Sequence, residues 1–309
     1  MRIAMDLGSE ALGASAEPAS LAAQAATAEA AGFAAGWCVH FSRGIDSLSS
    51  LLAAGTRTSS IELGVGVVPV YPRHPVTLAQ QAATVQALVG GRLRLGVGVS
   101  HRPVIEQMHG LAYAKPAAYM REYLSVLRPL LHEGRATFRG EFFRVEAELV
   151  VPGTSPVPVL VGGLSPRMVR TAGELGDGVV TWLAGKRTLE GQIIPGVQDA
   201  ARGAGRPPAR VVAALPVAVT DDATAAREAA SATFARYGGL PNYQRQFERE
   251  QITAPGDIAV VGDEAAVEAE MRAYAQVGVT EFWPVVFAVG AGSVDRTREL
   301  LASLVPDLA

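Results

Sequence analysis

The segment from Ile61 to Val99 reads IELGVGVVPVYPRHPVTLAQQAATVQALVGGRLRLGVGV, and it contains the pentapeptide LGVGV twice. The copies begin at Leu63 and Leu95, a separation close to the length of one strand-and-helix unit. Both copies are apolar without polar alternation, which is typical of a strand in a parallel sheet covered on both faces. The residues between them, His74 to Leu88, have a helical pattern. The repeat therefore predicts consecutive β–α units.

A dinucleotide-binding fingerprint is the other interpretation of these glycines. The fingerprint G-x-G-x-x-G needs a third glycine and a helix that begins at the turn. Pro69 lies beyond the first copy and His101 beyond the second, so neither copy completes the pattern. Pro72 and Pro75 also prevent a helix from starting directly after the first copy. The glycines are therefore interpreted as a repeated architecture.

Short apolar strands and Ala-rich helices continue to alternate on both sides of this segment. Upstream, strands are predicted at Arg2–Leu7 and Gly36–Val39, with helices at Leu21–Ala31 and Leu48–Thr56. Downstream, four strand patterns are separated by helices: VPVLVGG, DGVVTWL, ARVVAALPVAV and TEFWPVVF. About eight such units without a linker predict an α/β fold, a single (β/α)8 TIM barrel over residues 1–309, rather than an open doubly wound sheet.

Two insertions and one helix start complete the predicted organisation. Residues 135–151 are typical of a β-hairpin, and the polar, aromatic residues 239–256 form a second insertion. Thr220 or Asp221 is the predicted N-cap of the helix that follows the strand ARVVAALPVAV.

Composition and charge exclude several classes of function. A net charge of -3 and the lack of a basic stripe argue against nucleic acid and anionic membranes as partners. No apolar run reaches the length of a membrane span, and the single Cys38 suits a reducing compartment. We therefore expect a cytoplasmic protein in which Cys38 is buried. Neither HxH nor HExxH occurs, so no metal site is expected.

Two histidines follow predicted strands at the end where TIM barrels carry their active sites. His40 comes directly after GWCV, and His101 comes after RLRLGVGVS. Histidine exchanges a proton near neutral pH, so both are candidate catalytic residues. A hydrogen-bonded structural histidine is the alternative for each. His74, His109 and His132 lie on or beside helices and are weaker candidates.

A glycine turn and several aromatic residues lie at other predicted strand ends. Gly162 and Gly163 end the strand VPVLVGG, and Ser165 and Met168 begin the next helix. Backbone amides at such a turn can bind phosphate, although tight turns also use glycine for backbone reasons alone. Trp182, Trp283 and Phe287 either line a substrate pocket for a flat ligand or fill the barrel.

These motifs together resemble the bacterial-luciferase-like superfamily, and most closely its coenzyme F420-dependent branch. The similarity is carried by TSSIELGVGVVPVYPRHPVTLAQQAATVQALVGGRLRLGVGVS, by VPVLVGGLSPRMVRTAGELGDGVVTW and by GRPPARVVAALPVAVTDDATAAREAA. It covers most of the chain. The resemblance implies a (β/α)8 barrel, a homodimer, and a deazaflavin ring bound across the barrel mouth.

The resemblance also implies roles for individual residues. Gly66-Val67 matches the family's non-proline cis peptide behind the ring, with Ser100 beside it. Gly162, Gly163 and Leu164, followed by Ser165 and Met168, match the segment that binds the cofactor phosphate. His40 matches a histidine of sugar-phosphate dehydrogenases. Two positions depart from those enzymes, because Val39 replaces an aspartate of their D-H-F motif and His101 replaces an acid after the fourth strand.

The expected activity is hydride transfer between reduced coenzyme F420 and a small organic substrate with a C=C, C=N or carbonyl group. His40 or His101 is the expected proton donor. An FMN-dependent luciferase-like monooxygenase is the alternative enzyme, and a non-catalytic flavin-binding barrel is a further alternative. The identity of the substrate and the direction of transfer stay open.

Overall fold

A computed structural model of the chain describes residues 1–8 and 17–308. In this part of the chain, nine parallel strands form one sheet, and β5 and β6 form a separate antiparallel hairpin. The strands are β1 Arg2–Asp6, β2 Ala35–Cys38, β3 Glu62–Pro69, β4 Leu93–Gly98, β5 Arg135–Arg139, β6 Arg144–Glu148, β7 Val159–Gly162, β8 Gly178–Trp182, β9 Arg210–Val219, β10 Val260–Gly262 and β11 Glu281–Val286.

The main sheet closes into the predicted (β/α)8 TIM barrel. Its eight barrel strands follow the order β1-β2-β3-β4-β7-β8-β9-β11, and β11 returns to β1. β9 closes the circle because it pairs with β8 through Val179↔Val211 and with β11 through Phe282↔Ala213. The ninth strand, β10, was not predicted; it pairs with the last three residues of β9.

Helices follow the barrel strands and cover the outside of the sheet. They are α1 Pro18–Ala30, α2 Ser47–Gly55, α3 Pro75–Leu88, α4 Pro116–Glu133, α5 Pro166–Leu175, α6 Lys186–Thr188, α7 Ile194–Gly203, α8 Ala223–Thr233, α9 Ala235–Gly238, α10 Pro241–Glu250, α11 Glu264–Gln276 and α12 Ser293–Leu308. A π-helical turn at Leu189–Ile193 joins α6 to α7. All the helices of this part of the chain are too short or too polar to span a bilayer.

The twin LGVGV segments lie side by side as β3 and β4. The two copies are offset by two residues in the strand pairing. Leu63, which begins the first copy, pairs with Leu93, and Leu95, which begins the second copy, pairs with Val65. The register shifts between Val65 and Val68, where the peptide bond Gly66-Val67 is cis as predicted. Gly66 and Val67 are partly exposed although the residues on either side of them are buried. The repeat is therefore architectural, and its first copy opens toward the barrel mouth.

One local prediction needs correction. The N-cap of α8 is Asp222, whose carboxylate accepts a hydrogen bond from the Ala225 amide at 2.9 Å. The prediction of Thr220 or Asp221 was therefore wrong by one or two residues. The residues of the predicted second insertion, 239–256, contain the helix α10.

Charged residues close the amino-terminal end of the barrel. Glu281 is fully buried and accepts hydrogen bonds from Arg2, Arg210 and the Trp37 indole. Glu62 accepts from Arg2, Arg94 and Arg210 at 2.6 to 2.8 Å. Buried charges need such partners. Because these paired side chains fill the amino-terminal end of the barrel, a ligand would bind at the carboxyl end of the strands.

Candidate active site

His40 lies just past the carboxyl end of β2 and is half-buried. Its Nδ1 atom is 2.8 Å from the Ser47 hydroxyl at the start of α2. Burial, together with the positive charge of Arg73, lowers the pKa of His40 to about 4, against the opposing effect of Asp46. The ring is therefore neutral at pH 7, with one nitrogen able to accept a proton.

His101 lies past the carboxyl end of β4, also half-buried. Its ring centroid is 6.3 Å from that of Tyr237 and 6.2 Å from that of Tyr243. Burial lowers the pKa of His101, and the guanidinium of Arg236 lowers it further. Both predicted catalytic histidines therefore lie at the barrel mouth as neutral imidazoles.

Arg236 connects the loops that carry the two histidines. Its guanidinium carbon lies 5.3 Å from the centre of the Phe41 ring, and Phe41 directly follows His40. The same carbon lies 4.9 Å from the centre of the Tyr237 ring, and the guanidinium donates a hydrogen bond to the Tyr237 hydroxyl at 3.1 Å. The sequence interpretation missed Arg236 and Tyr237. The available signal was a cationic and aromatic pair directly before Gly238-Gly239, at the end of an Ala-rich helix.

The predicted ring-binding and phosphate-binding residues come together on neighbouring strand ends. A side-chain carbon built on Gly162 would lie 3.1 Å from Val67 Cγ1, so the two residues are in contact across the strand ends. A carbon on Gly163 would lie 2.5 Å from Met168 Cγ, so this turn packs directly on α5. Gly162 and Gly163 are both partly exposed. At these two glycines the exposed surface is consequently formed by backbone.

Ser165 and Leu164 complete this turn. Ser165 is the N-cap of α5, and its hydroxyl accepts a hydrogen bond from the Met168 amide at 3.4 Å. The Leu164 carbonyl accepts from the Gln192 amide group at 2.9 Å. The positive end of a ten-residue helix therefore points at the strand ends, where an anion is stabilised.

Ser100 has a left-handed backbone, with φ of 58°, between β4 and His101. This conformation is uncommon for a residue with a side chain, and it turns the chain sharply after the strand. The Ser100 carbonyl accepts a long hydrogen bond of 3.4 Å from the Tyr113 hydroxyl. Ser100 therefore positions His101 at the mouth and lies at the end of the strand next to β3.

The predicted aromatic residues lie at two different heights along the barrel axis. Trp182 is partly exposed and packs edge-on against Phe234 at 5.3 Å and Tyr237 at 5.8 Å, so it forms a wall of the mouth. Trp283 is 2% exposed, stacks on Trp37 inside the barrel and donates to Asp6 at 2.9 Å. Trp283 thus lies beneath the strand ends, and Phe287 is buried against Phe234.

His109 is a further mouth residue that the sequence interpretation ranked low. It follows the π-helical turn Val104–Met108 and lies close enough to His40 to contribute to the lowering of that residue's pKa. Its Nε2 atom is buried and has no hydrogen-bond partner among the described residues. No periodicity in the sequence indicates this position, because the loop after β4 folds back toward β2.

Two other features of the described residues are not part of this site. A groove of 610 Å³ lies between α4, α5 and α7 on the outside of the barrel, where Arg121 and Arg170 already pair with Glu174. No strand residue lines it. Over residues 1–8 and 17–308, no three His, Cys, Asp or Glu side chains are grouped to hold a metal ion. Cys38 is buried as predicted, and burial raises the pKa of its thiol.

Comparison with known proteins gives a consistent family signal. A model of the luciferase-like monooxygenase family matches residues 2–281. A protein of Mycobacterium tuberculosis named "Putative coenzyme F420-dependent oxidoreductase" is 27% identical and is matched over 92% of this chain and 94% of its own length.

Solved structures with this architecture include enzymes of two kinds. The coenzyme F420-dependent tetrahydromethanopterin reductase of Methanopyrus kandleri superimposes with a TM-score of 0.81 at 23% identity, over 100% of this chain and 99% of that one. The oxygenating constituent of 3,6-diketocamphane monooxygenase from Pseudomonas putida, solved with FMN, superimposes with a TM-score of 0.74 at 18% identity, over 93% and 92% of the two chains. At these identities the likeness concerns the fold.

Proposed function

Because this chain belongs to the luciferase-like monooxygenase family, we propose that it is a coenzyme F420-dependent oxidoreductase that acts on a small organic substrate. Similarity to the mycobacterial relative over nearly the whole chain supports this branch of the family. The structural observation that carries the proposal is the surface that Gly66, Val67, Gly162 and Gly163 form at the ends of β3 and β7, beside β2 and β4, the strands that lead to two neutral histidines.

The residues at the mouth fit a planar cofactor with a phosphate. Side chains on Gly162 and Gly163 would crowd Val67 and Met168, so the glycines leave the backbone of this turn accessible to a cofactor. Gly66, Val67 and Ser100 would border the ring. The phosphate would be held by the turn and the start of α5: Gly162, Gly163, Leu164, Ser165 and Met168. When bound, the deazaflavin ring supplies or accepts a hydride.

The histidines would move the proton that accompanies the hydride. When a substrate alcohol is oxidised, the hydride leaves its carbon and the hydroxyl proton passes to a neutral imidazole nitrogen of His40 or His101. In the reverse direction the same imidazolium returns the proton to the new alkoxide. The lowered pKa values of both residues favour the neutral, proton-accepting form at pH 7. Trp182 and the Phe234–Tyr237 turn would shield the substrate from water.

An FMN-dependent monooxygenase is the second candidate, supported by the similarity in fold to a neighbour solved with FMN. Both cofactors carry a flat tricyclic ring and a phosphate, so the same surface suits either. A non-catalytic flavin-binding barrel would share the surface but would have no use for two proton-exchanging histidines at the mouth.

Cofactor titration separates these candidates. Purified apo-protein is titrated with coenzyme F420 and, in parallel, with FMN, and binding is followed by fluorescence. We expect a Kd for F420 at least tenfold below that for FMN. Tight FMN binding without F420 binding would favour the monooxygenase. Binding of either cofactor without turnover of any alcohol, carbonyl, imine or enone in a substrate panel would favour the non-catalytic barrel.

A further inference from the structure

Two arginines at the barrel mouth have no carboxylate partner among residues 1–8 and 17–308. Arg43 lies in the loop between β2 and α2, and Arg236 lies in α9. Neither forms an ion pair within the described residues, whereas Arg73, near the same mouth, pairs with Asp46. Both arginines are exposed. In a chain of net charge -3, uncompensated positive charge at the mouth is suited to an anion.

The guanidinium of Arg236 packs on two aromatic rings at the barrel mouth. It lies over the rings of Phe41 and Tyr237, and such cation–π contacts restrict its plane. Only one hydrogen bond from this guanidinium to a protein group is formed in the described part of the chain, the one to the Tyr237 hydroxyl. A guanidinium has five N–H donors. The remaining donors match the geometry of a carboxylate, which arginine binds through two parallel hydrogen bonds.

The position of Arg236 relates it to the reacting end of the substrate. Phe41, under the guanidinium, is the neighbour of His40, and the Tyr237 ring is 6.3 Å from the His101 ring. Burial raises the pKa of the Tyr237 hydroxyl. The positive charges of Arg236 and Arg43 both oppose this rise, so Arg43 also lies close to Tyr237. An anion bound by Arg236 would therefore lie near His101 and next to the loop that carries His40, within the aromatic wall that includes Trp182.

We propose that the substrate carries a carboxylate or a similar anionic group, and that Arg236, assisted by Arg43, binds this group near His101 and next to the loop that carries His40. The inference rests on the proposed function, since it assigns Arg236 to the substrate of that reaction. Arg236 is thereby a specificity-determining residue. The cofactor is the other possible source of an anion, because its phosphate has the same chemistry.

Direct binding of a matched pair of probes tests the assignment without turnover. Benzoate and benzamide have nearly the same shape, but only benzoate is charged. Their affinities are measured by isothermal titration calorimetry for wild-type protein, with and without saturating cofactor. We expect benzoate to bind at least tenfold more tightly than benzamide. Equal affinities, or no benzoate binding, would overturn the proposal.

Variants then locate the anion. Arg236→Gln should weaken benzoate binding at least tenfold and leave benzamide binding unchanged, and Arg236→Lys should restore part of the loss. Arg245→Gln is the matched control, because Arg245 is exposed on α10 and has no ion pair in the described residues. Arg43→Gln should weaken benzoate binding about threefold, and it provides a second test if Arg236→Gln perturbs the fold in circular dichroism. Unchanged benzoate affinity in both variants would overturn the proposal.

Cofactor affinity distinguishes the two sources of the anion. If Arg236 binds the substrate, Arg236→Gln changes the Kd of the cofactor less than twofold. A tenfold rise in cofactor Kd with unchanged benzoate affinity would assign Arg236 to the cofactor phosphate and overturn the proposal. Failure of the proposed function is a separate result, seen as a lack of F420 binding by the wild-type protein.

Discussion

The Nδ1 atom of His40 lies 2.8 Å from the hydroxyl oxygen of Ser47. Ser47 is the first residue of α2 and is 1% exposed. The preceding residue, Asp46, caps this helix through the Ser49 amide and pairs with Arg73. The partner of the imidazole is therefore held by a packed helix end, and it determines which ring nitrogen faces the barrel mouth.

Ser47→Ala is predicted to release the His40 ring without removing it. The variant loses one hydrogen bond, worth about 1 kcal/mol, so kcat should fall roughly threefold to tenfold while the Kd of the cofactor stays the same. Nitrogen NMR of the imidazole should change from one dominant tautomer to a mixture. Ser49→Ala, on the same helix but exposed, is the control. If Ser47 had only a structural role, the His40 ring in Ser47→Ala would keep the same dominant tautomer as in the wild-type protein.

Replacing the proton-exchanging histidine should reduce turnover much more than it reduces binding. General acid–base groups contribute about 10²- to 10⁴-fold, so at least one of His40→Ala and His101→Ala should lower kcat by that factor. His132→Ala provides the control, since His132 contacts the Val157 carbonyl near the opposite end of the barrel. If each mouth variant retained more than a tenth of the wild-type kcat, neither histidine would be the acid or base.

The pH dependence of turnover should follow from the low pKa of His40. Burial and Arg73 lower this pKa to about 4, so the ring is neutral from about pH 5 upward. In the direction of substrate oxidation the neutral ring accepts the proton, and kcat/KM should be flat from about pH 5 to 8 and fall at lower pH. In the direction of reduction the imidazolium is required, and the rate should rise as the pH decreases. A plateau in both directions would contradict the assignment.

The same pKa makes a prediction for stability. The folded pKa of His40 is below its unfolded value of about 6.5, so the unfolded chain binds more protons in the window between them. The free energy of unfolding should therefore decrease as the pH falls from about 6.5 through 4. His40→Ala should show a shallower decrease in urea titrations across this window. An identical slope would mean that His40 keeps its ordinary pKa.

Gly163→Ala should impair cofactor binding at the turn before α5. The added carbon would lie 2.5 Å from Met168 Cγ, so the turn and the start of α5 must separate. We expect the Kd of the cofactor to rise at least tenfold in fluorescence titration. Gly203→Ala, where nothing lies within 4 Å of the added carbon, should leave the Kd unchanged. Unaltered affinity in Gly163→Ala would remove this turn from the binding site.

Glu281→Gln should destabilise the barrel from its closed end. Arg2, Arg210 and the Trp37 indole all donate to this fully buried carboxylate. Without the Glu281 charge, Arg2 and Arg210 keep only Glu62 as an ion-pair partner among the described residues. Loss of one partner of a buried ion pair lowers the free energy of unfolding by about 3–5 kcal/mol. Urea denaturation measures this loss. Glu268→Gln, at a partly exposed helical pair with Arg272, should change stability by less than about 1 kcal/mol.

Local sequence signals were sufficient for the fold because they are repeated in every unit. The spacing of the two LGVGV segments predicted β3 and β4 as neighbouring strands, and α3 ends at the predicted Leu88. Predictions failed where short polar residues compete for the same role, as at the α8 N-cap, where Asp222 acts rather than Thr220 or Asp221. β10 was missed because three residues carry no measurable period.

Site residues that directly follow a strand could be predicted from the sequence. Site residues that reach the mouth from distant parts of the chain could not. His40, His101 and the turn from Gly162 to Ser165 follow strands directly, so their place at the mouth was implied by the barrel. Their roles in the reaction stay predictions. Trp182 and Trp283 appeared equivalent in the sequence, but only Trp182 borders open space, because inward-pointing positions at different heights in a barrel fill different layers.

The sequence by itself determined the barrel, the positions of its strand ends and the buried thiol of Cys38, since apolar periodicity and glycine turns act over a few residues. Only the tertiary structure decided that Arg236 lies over Phe41, that Ser47 orients His40 and that Glu281 joins two arginines. The physical reason is the distance along the chain over which each interaction acts. Side chains far apart along the chain meet only after the sheet closes, and charge, stacking and burial then set their chemistry.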